Sequence, residues 1–397
     1  MRCEILAGSY DAEKDDGSLD TAYLDASLVR QMQIARKFGI SQSVLTVWSP
    51  PAIFKTVATT FGTDPKTKRA ARLRRDREAD YCRYVVRVFD YLTKIKKLPV
   101  PLAYSIQNEP SYAAGQWNGT PYDAEQWARV FVLMRRAFDQ NGYRKVKLIG
   151  PECGSYAESV AFLGGSDAPK LRDSRFRAAM SGFAFHGYSR LSRRAPYPQE
   201  LQKVAKIAAS HGQDVWMSEY SIIAQKRTPM QHALEASQRL AREMAYIPCN
   251  YWTWWQGWYP VSPKSEVLIS GVDDNRLNVS KTYFVLQKLW QSAPAGSVVH
   301  RVRSSDSQIR GYDPLEVQSV AFDFKGRSTL LVINPTNFPK SLQISGLKGK
   351  VAMPFLTDAT SDMKKQKTMV IRAGSVRLQM AKQAILILVS GEPAKFR

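Results

Sequence analysis

From the N-terminus to about residue 296, short apolar runs alternate with longer amphipathic segments. That alternation is the pattern of repeated βα units, in which each strand of a parallel sheet is covered by the helix that follows it. It constrains this chain more than any other feature, because such a sequence has to wind around one parallel sheet. Strands are predicted at residues 2–7, 43–47, 102–106, 146–150, 182–185, 214–217 and 250–254. Between them, Tyr81, Tyr84, Val85, Val88, Phe89 and Leu92 recur at helical spacing, as do Trp127, Val130, Phe131, Met134 and Phe138. Thr120 is expected to cap the second helix, with Pro121 at its first position and Asp123 at the positive end of its dipole. Further helices are expected at 21–37, 198–210, 228–246 and 281–291.

After residue 296 the texture changes to short runs broken by turn residues such as Asn334-Pro335, Gly346, Gly374 and Gly391. Strands are predicted at 317–324, 329–333, 341–344, 368–371, 376–379 and 384–389, an antiparallel β-sandwich of about 100 residues. The fold class expected is therefore α/β: a (β/α)8 TIM-type barrel over 1–296, with its first strand missing, followed by a C-terminal antiparallel β-sandwich over 297–397. The length of 397 residues and a hydrophobic content of 44% suffice for both cores.

Lys and Arg number 57 against 35 Asp and Glu, a net charge of +22. The excess is shared by both parts, so no detached tail carries it, and the partners it favours are anionic. Its densest stretch holds Lys66, Lys68, Arg69, Arg72, Arg74, Arg75 and Arg77 in a loop leading into a helix. Without a nucleic-acid recognition motif this reads as a solvated face, and no nucleic-acid partner is expected. Cys3, Cys82, Cys153 and Cys249 lie far apart, without metal-ligand or disulfide spacing, and read as buried small hydrophobes. No apolar run approaches the roughly 18 residues of a membrane span. The sequence has no GxSxG elbow, GxxxxGK loop or HExxH pair, and hydrolases of those kinds are not expected.

Two carboxylates stand out by position. Tyr104-Ser105-Ile106-Gln107-Asn108-Glu109-Pro110 closes a predicted strand with an amide, a carboxylate and a proline, which puts Glu109 at a C-terminal strand edge. Asp214-Val215-Trp216-Met217-Ser218-Glu219-Tyr220 repeats the arrangement 110 residues later. The C-terminal edge is where α/β barrels build active sites. Either glutamate alone could be a salt-bridge partner or a helix cap; two in this context suit glycoside hydrolysis, one protonating the leaving oxygen while the other attacks the anomeric carbon. Trp48, Tyr112, Trp117, Tyr188, Tyr220, Trp252, Trp254, Trp255, Trp258 and Tyr259 crowd the same loops. Their flat apolar faces suit the C–H faces of sugar rings, although Trp252 and Trp254 alternate along a strand and can equally serve the core.

These stretches resemble glycoside hydrolase family 30, one of the clan A families of retaining β-glycosidases. The resemblance rests on Trp48-Ser49-Pro50-Pro51-Ala52, Ser105 to Pro110, Ile149-Gly150-Pro151-Glu152, Phe185-His186-Gly187-Tyr188, Trp216 to Ser221 and Trp252 to Gln256, in family order from about residue 2 to the end. It implies Glu109 as general acid/base and Glu219 as nucleophile, about 5–5.5 Å apart, with Asn108 on the sugar 2-hydroxyl, Trp48 at the floor of the glycone subsite and no metal or organic cofactor. It further implies that His186 bonds the nucleophile or the sugar, that Tyr188, Tyr220, Trp254 and Trp258 bind substrate, and that Glu152 orients a neighbour. The implied substrate is a carbohydrate: xylan, β-1,6-glucan or galactan, or a glucosylceramide-like glycoconjugate, with Lys264 or Arg276 meeting an acidic substituent on xylan. The family's chains begin one barrel unit earlier, so an N-terminal extension of about 40–80 residues with a secretion signal, and a secreted or periplasmic product, are expected. The competing expectation is a catalytically silent carbohydrate-binding protein on a truncated barrel.

Overall fold

The structure, a computed structural model, describes residues 2–5, 19–165, 172–188, 198–223, 227–247, 249–259, 267–273, 276–303 and 316–392. The chain forms two compact units: residues 1–190, 206–219 and 250–253 make one, residues 191–205, 220–249 and 254–397 the other.

Strands β1 (Arg2–Ile5), β2 (Val44–Val47), β3 (Ala103–Ser105), β4 (Lys147–Cys153), β5 (Gly182–His186), β6 (Asp214–Tyr220) and β7 (Cys249–Trp254) form a single sheet in sequence order. Every described pairing from β1 to β6 is parallel. This is a partial TIM-type barrel, and among the described residues β1 and β7 are its two edges. Strand β3 is shorter than the apolar run predicts, and β4 is longer because it continues through Pro151 to Cys153.

Helices fill the connections: α1 (Thr21–Leu24), α2 (Arg30–Lys37), α3 (Glu78–Asp90), α4 (Ala124–Gln140), α5 (Tyr156–Phe162), α6 (Ser174–Ala179) and α7 (Pro198–Ser210). The helix expected at 21–37 is one continuous segment whose middle, Asp25–Val29, widens into a π turn. Asp123, not Thr120, caps α4: its carboxylate accepts from the Gln126 amide at 2.7 Å. Thr120 is unavailable because it is fully buried, with its hydroxyl donating to the Gly119 carbonyl at 2.8 Å. Helices α3 and α4 join through the nearly buried Glu78, which takes a two-pronged bond from Arg129 at 2.8 and 2.9 Å, and through the Phe89–Phe138 ring contact at 4.7 Å.

Two glycines admit the indoles that fill the sheet's faces. A Cβ at Gly150 on β4 would stand 2.4 Å from Trp127 Cζ2, and one at Gly182 on β5 would stand 2.5 Å from Trp216 Nε1. Trp216 also stacks on Tyr251 with ring centres 3.4 Å apart.

The second unit adds α8 (Pro229–Tyr246), capped by Thr228 and Gln231 in a reciprocal box, a three-stranded sheet of β8 (Trp258–Tyr259), β9 (Ile269–Asp273) and β10 (Arg276–Val279), and α9 (Lys281–Ser292). An antiparallel sheet follows, ordered β11 (Val298–Arg301), β12 (Gln318–Phe324), β13 (Arg327–Asn334), β19 (Ala384–Gly391), β15 (Val351–Thr357) and β16 (Lys364–Lys365), with β17 (Met369–Val370) also on β15. Strands β14 (Lys340–Ser345) and β18 (Ser375–Met380) pair separately. Leu330, Leu386 and Leu388 from the large sheet share a core with Val376 and Met380 from the small one, as a β-sandwich requires.

Replacing Gly150 with Ala is expected to lower unfolding stability by about 1–3 kcal/mol, since the Trp127 ring has no room to retreat; a urea melt that is unchanged would contradict this packing. Cys82 and Cys153 are free and buried, and burial pushes both thiols up to about 12. Neither is expected to react with a thiol reagent in the native protein at about pH 8, where only on the order of one in ten thousand would be ionised; labelling at these two positions before unfolding would show them accessible.

Candidate active site at the strand edge

The site is built where β3, β4, β5 and β6 end. Glu109 follows β3 with a left-handed backbone, φ 48°, and Glu152 near the end of β4 is left-handed too, φ 59°. Each such residue costs about 1–2 kcal/mol relative to ordinary backbone, and strain of this kind concentrates at functional sites. The two are tied together, with the Glu109 amide donating to the Glu152 carbonyl at 3.1 Å. The ladder between β4 and β5 shifts register across Pro151 and Cys153, and that between β5 and β6 shifts at Phe185 and His186. Bulges re-aim side chains at barrel rims; the second one brings His186 opposite Glu219.

His186 is fully buried, and its Nδ1 lies 3.1 Å from Glu109 Oε1 and 3.8 Å from Glu219 Oε1. Both oxygens therefore sit around one nitrogen and are no more than about 7 Å apart. Two proton placements suit the shorter contact: Nδ1–H donates to an ionised Glu109, and a bare Nδ1 accepts from a protonated one. The Tyr188 hydroxyl donates to Glu219 Oε1 at 3.2 Å. The Glu219 side chain is 7% exposed and that of Glu109 is 20% exposed.

The other residues singled out from the sequence divide into two groups. Asn108 is buried beside Glu109, its amide donating to the Val47 carbonyl at 2.7 Å. Trp48 is half-buried, and its carbonyl accepts from Gln107 Nε2 at 2.7 Å. Glu109, Glu219, His186, Tyr188, Asn108 and Trp48 thus belong to the same sheet edge. Tyr220 is turned to α8 instead: its hydroxyl donates to Glu235 Oε1 at 3.3 Å, Arg239 lies 4.8 Å from its ring centre, and Trp254 meets it edge-on at 5.7 Å. Trp258 is 58% exposed on β8. Arg276 opens β10 and is exposed, while Lys264 lies outside the described residues.

Two supports lie behind the site, Glu152, expected only to orient a neighbour, and Lys55, which sequence reasoning leaves unnamed. Glu152, fully buried, accepts from Thr46 Oγ1 at 3.0 Å and so anchors its bulge to β2. Lys55 is buried, and its ammonium donates to Ser49 Oγ at 2.9 Å, Phe61 O at 2.9 Å and Gly119 O at 2.8 Å. It pins the segment after Trp48, the segment around residue 61 and the loop after Glu109 to one point. A lone lysine in Ala52-Ile53-Phe54-Lys55-Thr56 carries no signal of this; only its three distant partners show it.

Among solved structures, the family 30, subfamily 8 xylanase Xyn30A from Clostridium acetobutylicum superposes with a TM-score of 0.76 at 18% identity, covering 98% of this chain and 88% of that one. The fold is that of the family 30 glycoside hydrolases. The endo-β1,6-glucanase BT3312 is similar too, with a TM-score of 0.69 at 13% identity over 98% of this chain and 82% of that one. A conserved exported protein from Bacteroides fragilis gives 0.73 at 16% identity over 98% and 87%. At the level of sequence, no family model and no curated protein matches. Among the described residues no three His, Cys, Asp or Glu side chains group as a metal site, and no helix is long and apolar enough to cross a membrane.

Changing Lys55 to Met should strand Ser49 Oγ and two buried carbonyls without their donor. The expected cost is about 3 kcal/mol, with faster proteolysis within residues 56–73; a variant as stable and as protease-resistant as the parent would remove Lys55 from this role.

Proposed function

We propose that this chain is a retaining glycoside hydrolase acting on β-linked polysaccharide, with Glu109 as general acid/base and Glu219 as nucleophile. The observation that carries the reading is the single imidazole nitrogen held between the two carboxylates. The upper limit of about 7 Å on the separation of the two oxygens accommodates the roughly 5–5.5 Å of retaining enzymes.

The roles follow from the asymmetry of the pair. The Tyr188 hydroxyl donates to Glu219 Oε1 and holds that oxygen in place, which suits Glu219 as the attacking carboxylate. Glu109, the more exposed of the two, meets the leaving group with its proton, and the imidazole of His186 accepts or donates at the same oxygen as that proton leaves and returns. In the first step a Glu219 oxygen bonds to the anomeric carbon, the glycosidic C–O bond breaks, and the Glu109 proton passes to the leaving oxygen. In the second, Glu109 takes a proton from water, the water oxygen bonds to the anomeric carbon, and Glu219 departs as carboxylate. Asn108 and Trp48 hold the sugar in this reading, Asn108 at the 2-hydroxyl and Trp48 beneath the ring.

The structural neighbours include a xylanase and an endo-β1,6-glucanase, which supports polysaccharide as the substrate class. One neighbour is described as exported, and action outside the cytoplasm accords with a polymeric substrate.

Glu109→Gln and Glu219→Gln, assayed on phenyl β-glycosides, are each expected to lose at least about 100-fold in kcat/KM. Undiminished hydrolysis in both would refute the assignment. The first-formed sugar, followed by NMR before mutarotation, is expected to be the β-anomer; an α-anomer would exclude the retaining route while leaving hydrolysis intact.

A further inference from the structure

The loop after Glu109 carries an aromatic pair that the two-carboxylate chemistry does not use. Tyr112 and Trp117, 40% and 39% exposed, stack with ring centres 5.6 Å apart and planes at 29°. The pair is fixed to the strand edge, because the Tyr112 amide donates to the Glu109 carbonyl at 3.0 Å.

An arm formed by residues 56–73 docks on this loop. Thr63 N donates to Ala114 O at 2.9 Å, Gly119 N donates to Thr60 O at 3.0 Å, and Phe61 bridges to Asn118. Gly62 lies so close to the loop that a Cβ there would stand 2.6 Å from Ala114 N. The arm is thus an ordered extension of the same edge, held from below by Lys55.

Its tip is cationic. Lys66, Lys68 and Arg69 are all exposed, and none has an ion pair within 4 Å among the described residues. The nearby carboxylate, Asp64, shapes the turn, with Oδ1 accepting from the Lys66 amide at 3.0 Å and Oδ2 from Thr67 Oγ1 at 2.6 Å, and its single charge offsets only part of the three cations. Further along the arm, Arg72 and Arg74 are neutralised by Asp123 and Asp76. The uncompensated charge is therefore concentrated at the tip, within a few residues of the contacts that hold it beside the exposed rings.

We propose that the arm tip and the Tyr112–Trp117 pair form a binding surface for an anionic polysaccharide, whose sugar rings lie on the aromatics while uronate carboxylates or sulfate esters meet Lys66, Lys68 and Arg69. The choice of a glycan over other polyanions rests on the reading of Glu109 and Glu219 as a glycosidase pair, whose edge the surface continues. Flat apolar rings match the C–H face of a sugar, and spaced cations match a charge repeated along a chain.

The test measures binding, not turnover. Polygalacturonate, dextran sulfate, neutral dextran and an oligo-dT strand are titrated calorimetrically against the full chain and against a triple variant, Lys66→Ala with Lys68→Ala and Arg69→Ala. At least one anionic glycan is expected to bind better than dextran and oligo-dT. Its affinity should fall about tenfold from about 50 to about 200 mM salt, about tenfold or more in the triple variant at an unchanged unfolding midpoint, and about tenfold in Trp117→Ala. Which of the two polymers binds identifies the group as carboxylate or sulfate. Equal binding by parent and triple variant, no binding of either anionic glycan, or tighter binding of oligo-dT would each overturn the proposal. Phenyl glycoside hydrolysis is scored separately: its absence in the parent would remove the glycosidase reading while the glycan titrations still decide this surface.

Discussion

Everything at the strand edge depends on one backbone contact, the Glu109 amide donating to the Glu152 carbonyl. It joins two residues with left-handed backbone, Glu109 just after β3 and Glu152 in the bulge of β4, where an ordinary strand would have pointed its side chains in alternation. Breaking the alternation at these points is what allows neighbouring strand ends to aim polar groups to a common place. Thr46 on the next strand holds the Glu152 side chain below them, so the departure from regular geometry is supported from two directions. Local backbone of this kind persists only where its surroundings leave it no alternative.

The carboxylates are distinguished by their neighbours more than by their own chemistry. Both approach Nδ1 of His186, at different distances, and the Tyr188 hydroxyl donates to Glu219. In the proposed reading the two acids play unequal parts, and the Tyr188 hydroxyl marks Glu219 as the attacking one. Tyr188 follows β5 and Glu219 lies on β6, so the inequality depends on a register between neighbouring strands that a single shift across Phe185 and His186 sets.

Much of the fold was legible because buried parallel strands read as apolar runs, and all seven appear in order. The two strand-ending glutamates were legible for the same reason, since position along a strand is a one-dimensional property. What escaped is three-dimensional. Strand β15 contains Pro354, which argues against a strand in any local reading, yet it pairs with β19 along its whole length. The start of α4 was misplaced by three residues because Thr120, a good cap by type, spends its hydroxyl inside the protein. Tyr220 follows Glu219 directly and was grouped with it, but successive strand residues face opposite ways, and its ring is taken up by Glu235 and Arg239. The basic stretch was read as a solvated face because charge counts do not reveal that residues 56–73 dock on the loop after Glu109.

Lys55 has a consequence for how such a protein can change. Because a single ammonium binds oxygens from three segments on two connections, those segments form one mechanical module even though more than sixty positions separate its outermost members. Swapping any one of them for a relative's version would leave the other two clasping a point in space that no longer exists. Grafts that carry residues 48–73 and 108–120 together, with the lysine between them, are the ones that inherit the mouth intact.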